Sequence, residues 1–166
     1  MTGYHANDRK RCTNFVNDAN YLVIDEDDTD FLGKGMYFWE HKSKAKWWLE
    51  EKKKESIVKA ELDVSTLLDL TDNDMLIRIN RIAEKFASAM ERKGIRNGQI
   101  GLKLNYMFQA WSSFFDQFGS VRAHFYYKNR QELDFLYGSK MTGNCVDIYL
   151  VRSDPTLVTA REWVIQ

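Results

Sequence analysis

The spacing of apolar and polar positions predicts two long helices in the middle of the chain. Over residues 72–93 apolar side chains recur every three or four positions, which is typical of a helix with one face in the core. Thr71 or Asp72 is placed to cap its start, and Gly94 follows its end. A second apolar stripe of the same spacing predicts a helix over residues 101–118.

The two ends of the chain have the short apolar and aromatic runs of strands. The order predicts an α+β fold, with helices inserted between early and late strands, and not a regular βαβ array. The predicted strands cover residues 3–6, 56–64, 121–127, 145–151 and 162–165, and residues 32–39 are predicted as a glycine-hinged turn that runs into a further strand. Two further helices are predicted over residues 8–19 and 41–54. The acidic residues 25–30 are predicted to form a solvated turn.

Composition narrows the class of protein. The 166 residues have the length of one domain, covering residues 1–166. Lys and Arg number 24, as do Asp and Glu, which disfavours a protein that coats duplex nucleic acid. Two cysteines exclude a disulfide scaffold and a zinc site of four cysteines, and no other cluster of metal ligands is evident in the sequence.

The hydropathy of the chain predicts a cytoplasmic protein. No apolar run approaches the roughly 20 residues that cross a bilayer. The first residues also lack the apolar segment of a signal peptide. We therefore expect no membrane partner.

Aromatic residues make up 14% of the chain. They are consistent either with an aromatic-rich core or with a pocket that stacks on a flat ligand, and composition by itself favours the core. Tyr37 follows a Gly-Lys-Gly turn, whose glycines would let backbone approach a ligand closely. Trp47 and Trp48 follow on the next helix, so a strand ring and a helix ring are predicted to face each other across a slot.

Three segments together resemble the ADP-ribosyltransferases, in the His-Tyr branch that includes diphtheria toxin and the poly-ADP-ribose polymerases. They are Gly-Tyr-His-Ala-Asn at 3–7, Leu-Gly-Lys-Gly-Met-Tyr-Phe-Trp-Glu at 32–40 and Ser-Lys-Ala-Lys-Trp-Trp at 43–48. Tyr37 follows His5 by 32 residues, a spacing that fits this branch. The resemblance implies a split β-sandwich and NAD as co-substrate. The segment at 32–40 is also similar to that of small bacterial members of the family, which are often toxins or phage-defence proteins.

The resemblance implies roles for individual residues. His5 would hydrogen-bond the ribose hydroxyls of NAD, and backbone groups of Ala6 would hold the nicotinamide carboxamide, where the family usually has glycine. Tyr37 would stack on one face of the nicotinamide ring. The other face would meet Trp48 or, as the second choice, Trp47, and Ser43 would stand near the carboxamide.

The family also places an acidic residue at the front of a late strand. Asp147, within the predicted strand 145–151, is the first candidate, and Glu132 in the preceding loop is the second. Strand alternation puts Cys145, Asp147 and Tyr149 on one face. Arg122 resembles an arginine of the bacterial relatives that would pair with this acid or with a phosphate, although a structural ion pair explains it equally well.

The implied activity is transfer of ADP-ribose from NAD to a macromolecular acceptor, either protein or RNA/DNA. The nicotinamide–ribose bond breaks through a transition state that resembles an oxocarbenium ion, which a nearby carboxylate would stabilise. The resemblance further implies a toxin of a toxin–antitoxin or anti-phage system, restrained by an antitoxin protein. The alternatives are a non-catalytic module that binds NAD or ADP-ribose, and a scaffold domain whose aromatic residues only form the core.

Overall fold

The computed structural model describes residues 1–25, 29, 31–126 and 145–166. These residues form seven strands and five helices, with a short 3-10 turn before the last strand. In chain order the elements are β1 (Thr2–Asn7), α1 (Arg9–Asn17), β2 (Met36–Trp39), α2 (Lys42–Glu51), β3 (Ser56–Leu62), β4 (Leu67–Asp69), α3 (Asn73–Arg92), α4 (Ile100–Ala110), α5 (Ser112–Phe115), β5 (Ser120–Tyr126), β6 (Cys145–Val151) and β7 (Val158–Ile165).

The strands form one mixed sheet in the order β4-β5-β6-β2-β1-β3-β7. Only β4 and β5 pair in parallel, and the other neighbours are antiparallel. The helices in the middle of the chain, α3, α4 and α5, form the crossover connection between the parallel strands β4 and β5. Strands from the two ends of the sequence meet in the centre of the sheet, where β6 pairs with β2. The mixed α/β composition agrees with the predicted α+β class.

The sheet has a seam between its two central strands, β1 and β2. These strands pair at one position, Tyr4 with Trp39, whereas β1 pairs with β3 along its whole length from Thr2 to Asn7. Beyond Tyr4, therefore, the two strands do not continue their ladder. The His5 side chain bridges the gap instead, because its Nδ1 lies 2.7 Å from the Tyr37 carbonyl oxygen.

Helices cover both faces of the sheet. On one face, α1 buries Cys12 and Phe15 against Phe38 and Val58. On the other face, α3 and α4 pack on β5 and β6, and α2 packs beside them near the seam. Both faces of the sheet carry apolar side chains because successive side chains of a strand point to opposite faces. In β2, Phe38 lies on one face, and Tyr37 and Trp39 lie on the other.

The two long helices predicted from the sequence differ in how closely they match the structure. The first is confirmed as α3, where the Asp72 carboxylate caps the start by accepting from the Asp74 backbone N–H. The second, predicted as one helix over residues 101–118, is broken at Trp111, where the backbone has φ −134° and ψ 57°. The chain forms α4 before this break and the short α5 (Ser112–Phe115) after it, and residues 116–118 are not helical. Trp111 stacks on Phe114 at the surface, with ring centroids 5.0 Å apart, and is not part of the core.

Strand β4 was not predicted, and β7 begins earlier than predicted. The three residues of β4 are too few to show alternation, and β4 exists because its backbone pairs with the start of β5. Strand β7 extends from Val158, although exposed residues interrupt its apolar pattern.

Candidate functional site

A cavity of about 170 Å³ opens at the seam between β1 and β2. This is the volume enclosed by the described residues. It is smaller than that of pockets that enclose drug-sized ligands, which have volumes of about 300–1,000 Å³. It suits one ring with its attached groups, so the rest of a longer ligand would lie outside. Its lining residues are of two kinds: the aromatic wall is Phe31, Tyr37, Trp39 and Trp48, with the aliphatic Ile148 beside it, and the polar wall is His5, Asn7, Asp25, Lys52 and Lys54.

His5 is held in one neutral form by its two hydrogen bonds. Its side chain is buried, and burial lowers its pKa from 6.5 to about 4. The Tyr37 carbonyl oxygen can only accept, so Nδ1 carries the proton and donates it across the seam. Nε2 is then the acceptor, and the Asn7 amide donates to it at 3.2 Å. A hydroxyl group of a ligand in the cavity could donate to the same Nε2 in place of Asn7.

The buried His5 predicts a specific dependence of stability on pH. Between about pH 4 and pH 6.5 the unfolded chain binds a proton at this side chain that the folded protein does not bind. The free energy of unfolding should therefore fall as the pH drops through this window, by up to about 3 kcal/mol from this group. Urea unfolding of the wild type and of His5→Gln at pH 7 and pH 4.5 measures this contribution.

Glutamine serves in that comparison because its amide N–H can donate to the Tyr37 carbonyl without titrating. The wild type should lose more stability on acidification than His5→Gln does. Equal losses in the two proteins would show that His5 titrates normally in the folded state.

Tyr37 contributes its ring to the cavity and its hydroxyl to the adjacent turn. The hydroxyl donates to the Gly33 carbonyl oxygen at 2.5 Å and accepts from the Leu32 backbone N–H at 3.1 Å. The turn also docks on α4, where the Asn105 side-chain oxygen accepts from the Lys34 N–H at 2.9 Å. The hydroxyl of Tyr37 is thus engaged within the protein, and its ring is what a ligand would meet.

The glycines of this turn also have a packing reason, in addition to the predicted approach to a ligand, and Gly35 lines the cavity. Gly33 has φ +88°, and a Cβ there would lie 2.3 Å from Asn105 Oδ1 and 2.7 Å from the Gly101 carbonyl oxygen. A Cβ at Gly35 would lie 2.5 Å from Leu150 Cδ1. Both glycines therefore allow close packing of the turn on the protein's own helix and sheet.

Of the two adjacent tryptophans, Trp48 lies at the cavity. Its ring packs on Trp39 at 5.5 Å, and the Lys52 ammonium lies 5.0 Å from its centroid. Trp47 contacts the edge of Trp39 at 6.2 Å and is not among the lining residues. The separation follows from the helix, since neighbouring residues of α2 point about 100° apart.

Phe31 is a wall residue that sequence reasoning missed. Its ring meets Tyr37 at 6.0 Å, Trp48 at 5.8 Å and Phe125 at 5.1 Å, each time edge to face. It thus connects the strand ring and the helix ring that were predicted to form the slot. It lies in a loop without periodicity, so no pattern in the sequence marks it.

Asp147 and Arg122 do not lie at the cavity. Ile148 lines the cavity from β6, so its neighbour Asp147 points to the opposite face of the sheet. There the Asp147 carboxylate accepts from Arg122, with Nε at 2.9 Å, and from the ring of His124. Arg122 also contacts Asp69 at 3.4 Å. This arrangement favours the structural ion pair, and it separates the first candidate acid from the other predicted site residues.

Of the remaining predicted site residues, one lines the cavity, one does not, and one lies outside the described residues. Ala6 lies at the cavity next to His5. Ser43 is exposed on the first turn of α2 and does not line the cavity. Glu132 lies outside the described residues, so its predicted role stays a prediction. Of the candidates, the structure brings together His5, Ala6, Tyr37 and Trp48.

The described residues hold neither a cluster of metal ligands nor a helix that could span a membrane. Within residues 1–25, 29, 31–126 and 145–166, no group of three or more His, Cys, Asp or Glu side chains is arranged to hold a metal ion. None of the helices in this part of the chain has the length and apolar character needed to cross a membrane.

Comparison with known proteins yields one distant similarity. No protein-family model matches the sequence, and no solved structure does. The chain is 29% identical over 122 residues to an uncharacterized protein of Methanocaldococcus jannaschii. The matched region covers 66% of this chain and 56% of the other protein, so the chain spans little more than half the length of that relative.

Proposed function

We propose that the protein is an NAD-dependent ADP-ribosyltransferase. The observation that supports this most is that His5, Tyr37 and Trp48, far apart in the sequence, line one cavity at the seam of the sheet. The seam also supports the split β-sandwich of this family, with β4-β5-β6-β2 as one half and β1-β3-β7 as the other.

The two walls suit the two chemical parts of a nicotinamide riboside. A flat pyridine ring would pack on the aromatic wall, where stacking contributes about 1–3 kcal/mol per ring in comparable nucleotide sites. The attached ribose would then meet the polar wall, where His5 Nε2 accepts a hydrogen bond from a hydroxyl. Lys52 adds positive charge for the phosphates that lie outside the cavity, and Lys54, which is ion-paired with Asp8 at 3.1 Å, lies beside it in the lining.

The aromatic wall and His5 would together act on the bond between nicotinamide and ribose. Holding the ring against the aromatic wall fixes the leaving group, and the His5 contact fixes the sugar. Holding both parts aligns the bond for cleavage and lowers the entropic cost of reaching the transition state. The acceptor, either protein or RNA/DNA, would supply the nucleophile from outside.

Trp48 and Trp47 provide a matched pair for testing the binding of NAD. Trp48→Ala should raise the Kd for NAD by about 10–100-fold, because it removes a ring from the cavity. Trp47→Ala should change the Kd by less than about threefold, since that ring lies outside the lining. Isothermal calorimetry of the two variants measures this difference. Equal effects of the two changes would contradict the proposed binding mode.

Turnover is tested by incubating the wild type with NAD and measuring release of nicotinamide. Labelled NAD added to a cell extract would then identify the acceptor, because the label should be freed by protease, RNase or DNase according to the molecule that is modified. A protein that neither binds NAD nor releases nicotinamide would contradict the proposal. A toxin restrained by an antitoxin is part of the proposal and is supported by the motif resemblance alone.

A non-catalytic module that binds NAD or ADP-ribose is the second candidate function. It is favoured by one observation, namely that the Asp147 carboxylate is bonded to Arg122 and His124 on the opposite face of the sheet. Binding of NAD with no release of nicotinamide would support this candidate over the transferase.

A further inference from the structure

We propose that Asp25 supplies the carboxylate that stabilises the ribose cation, a role that rests on the proposed transferase function. Asp25 is the one carboxylate among the described residues that line the cavity. It belongs to the polar wall together with His5 and Asn7, where the sugar would lie.

The carboxylate of Asp25 is held in place by Arg11. The Arg11 Nη2 donates to Asp25 Oδ1 at 2.5 Å. This hydrogen bond keeps the pKa of Asp25 below its usual range, so the group is charged at neutral pH. In the part of the chain that the structure describes, Oδ2 makes no hydrogen bond. One oxygen is therefore oriented by arginine, and the other is available to a ligand hydroxyl.

The neighbourhood of Asp25 fits a role beside the sugar. Asp25 lines the same cavity as His5 and Asn7, so its carboxylate and the His5 ring border one space. His5 Nε2 would accept from one ribose hydroxyl and Asp25 Oδ2 from another. A vicinal diol would then be bound by two acceptors, one neutral and one negatively charged.

Cleavage of NAD and transfer of ADP-ribose to the acceptor need no further reagent. The C–N bond between ribose C1′ and the nicotinamide nitrogen breaks, and its electron pair leaves with nicotinamide, which departs as a neutral molecule. Positive charge develops on the ribose, where the Asp25 carboxylate stabilises it through space and through the bonded hydroxyl. The acceptor forms the new bond to C1′ and gives its proton to solvent.

The first part of the test is Asp25→Asn, assayed for nicotinamide release and, separately, for NAD affinity by calorimetry. Release should fall by about 10²–10³-fold, which is the usual effect of removing one such electrostatic contact. The Kd should change by less than about tenfold, because asparagine still accepts a hydrogen bond. Asp147→Asn should retain release within about threefold of the wild type. Release by Asp25→Asn within threefold of the wild type would overturn the proposal.

A second variant separates the catalytic role from a structural one. Arg11→Met breaks the same ion pair but leaves the carboxylate of Asp25 in the chain. It should retain release within about tenfold of the wild type, and Asp25→Asn should not. Equal losses in the two variants, or matching losses of thermal stability that explain the rates, would mean that the pair only anchors the loop. Absence of release by the wild type would end the proposed function itself.

Discussion

Tyr37→Ala is expected to abolish measurable NAD binding and to weaken the fold as well. The change removes a ring from the aromatic wall of the cavity, and it also removes the hydroxyl that bonds Gly33 and Leu32. We expect the Kd to rise by more than about 100-fold. The free energy of unfolding should fall by about 2–4 kcal/mol, from two lost hydrogen bonds and a lost half-buried ring. Calorimetry with NAD and urea unfolding measure the two effects.

Tyr37→Phe separates these two contributions. It keeps the ring and loses only the hydroxyl, so the free energy of unfolding should fall by about 1–2 kcal/mol. NAD affinity should stay within about tenfold of the wild type. If the folded phenylalanine variant binds as poorly as the alanine variant, the ring is not the binding element. Tyr37 would then be a residue that supports only the turn.

Arg161→Ala is expected to destabilise the fold strongly. The guanidinium donates to the carbonyl oxygens that follow α1, at 2.7 Å to each of Asp18, Ala19 and Tyr21. It also bonds the Phe15 carbonyl at 3.1 Å and lies 4.5 Å from the centroid of that ring. These bonds satisfy the Phe15 carbonyl in the last turn of α1 and backbone carbonyls of the loop that follows the helix.

The expected loss is about 3–5 kcal/mol, because several hydrogen bonds to a charged group disappear together. Arg161→Lys should recover only part of it, since an ammonium has three donors and no planar fork. Urea unfolding measures both, and Arg92→Ala on the exposed last turn of α3 serves as the control, with a change within about 0.5 kcal/mol. A small effect of Arg161→Ala would show that water replaces the guanidinium.

Arg161 also matters for the site, because the chain that it anchors leads into the cavity. Residues 18–25 run from the end of α1 to Val23 and Asp25, which line the cavity. Loosening this segment should weaken NAD binding indirectly. The distant β7 therefore contributes to the position of the polar wall.

The helices and most strands could be predicted because their patterns are local. The apolar stripe of α3 and its Asp72 cap lie within about twenty residues and need no information from the rest of the chain. The break at Trp111 could not be predicted in this way. Trp111 continues the spacing of the stripe, and only the tertiary packing turns its ring onto Phe114 at the surface.

For the site, the sequence by itself selected His5, Tyr37 and either Trp48 or Trp47 as candidates, because their residue types and spacing resemble one family's motifs. Only the tertiary structure decided which residues share the cavity. A strand pattern establishes that Asp147 and Ile148 face opposite ways, but not which of the two faces the cavity. Asp25 and Phe31 come from loops, where position depends on contacts with Arg11, Trp48 and Phe125, which are distant in sequence and close only after folding.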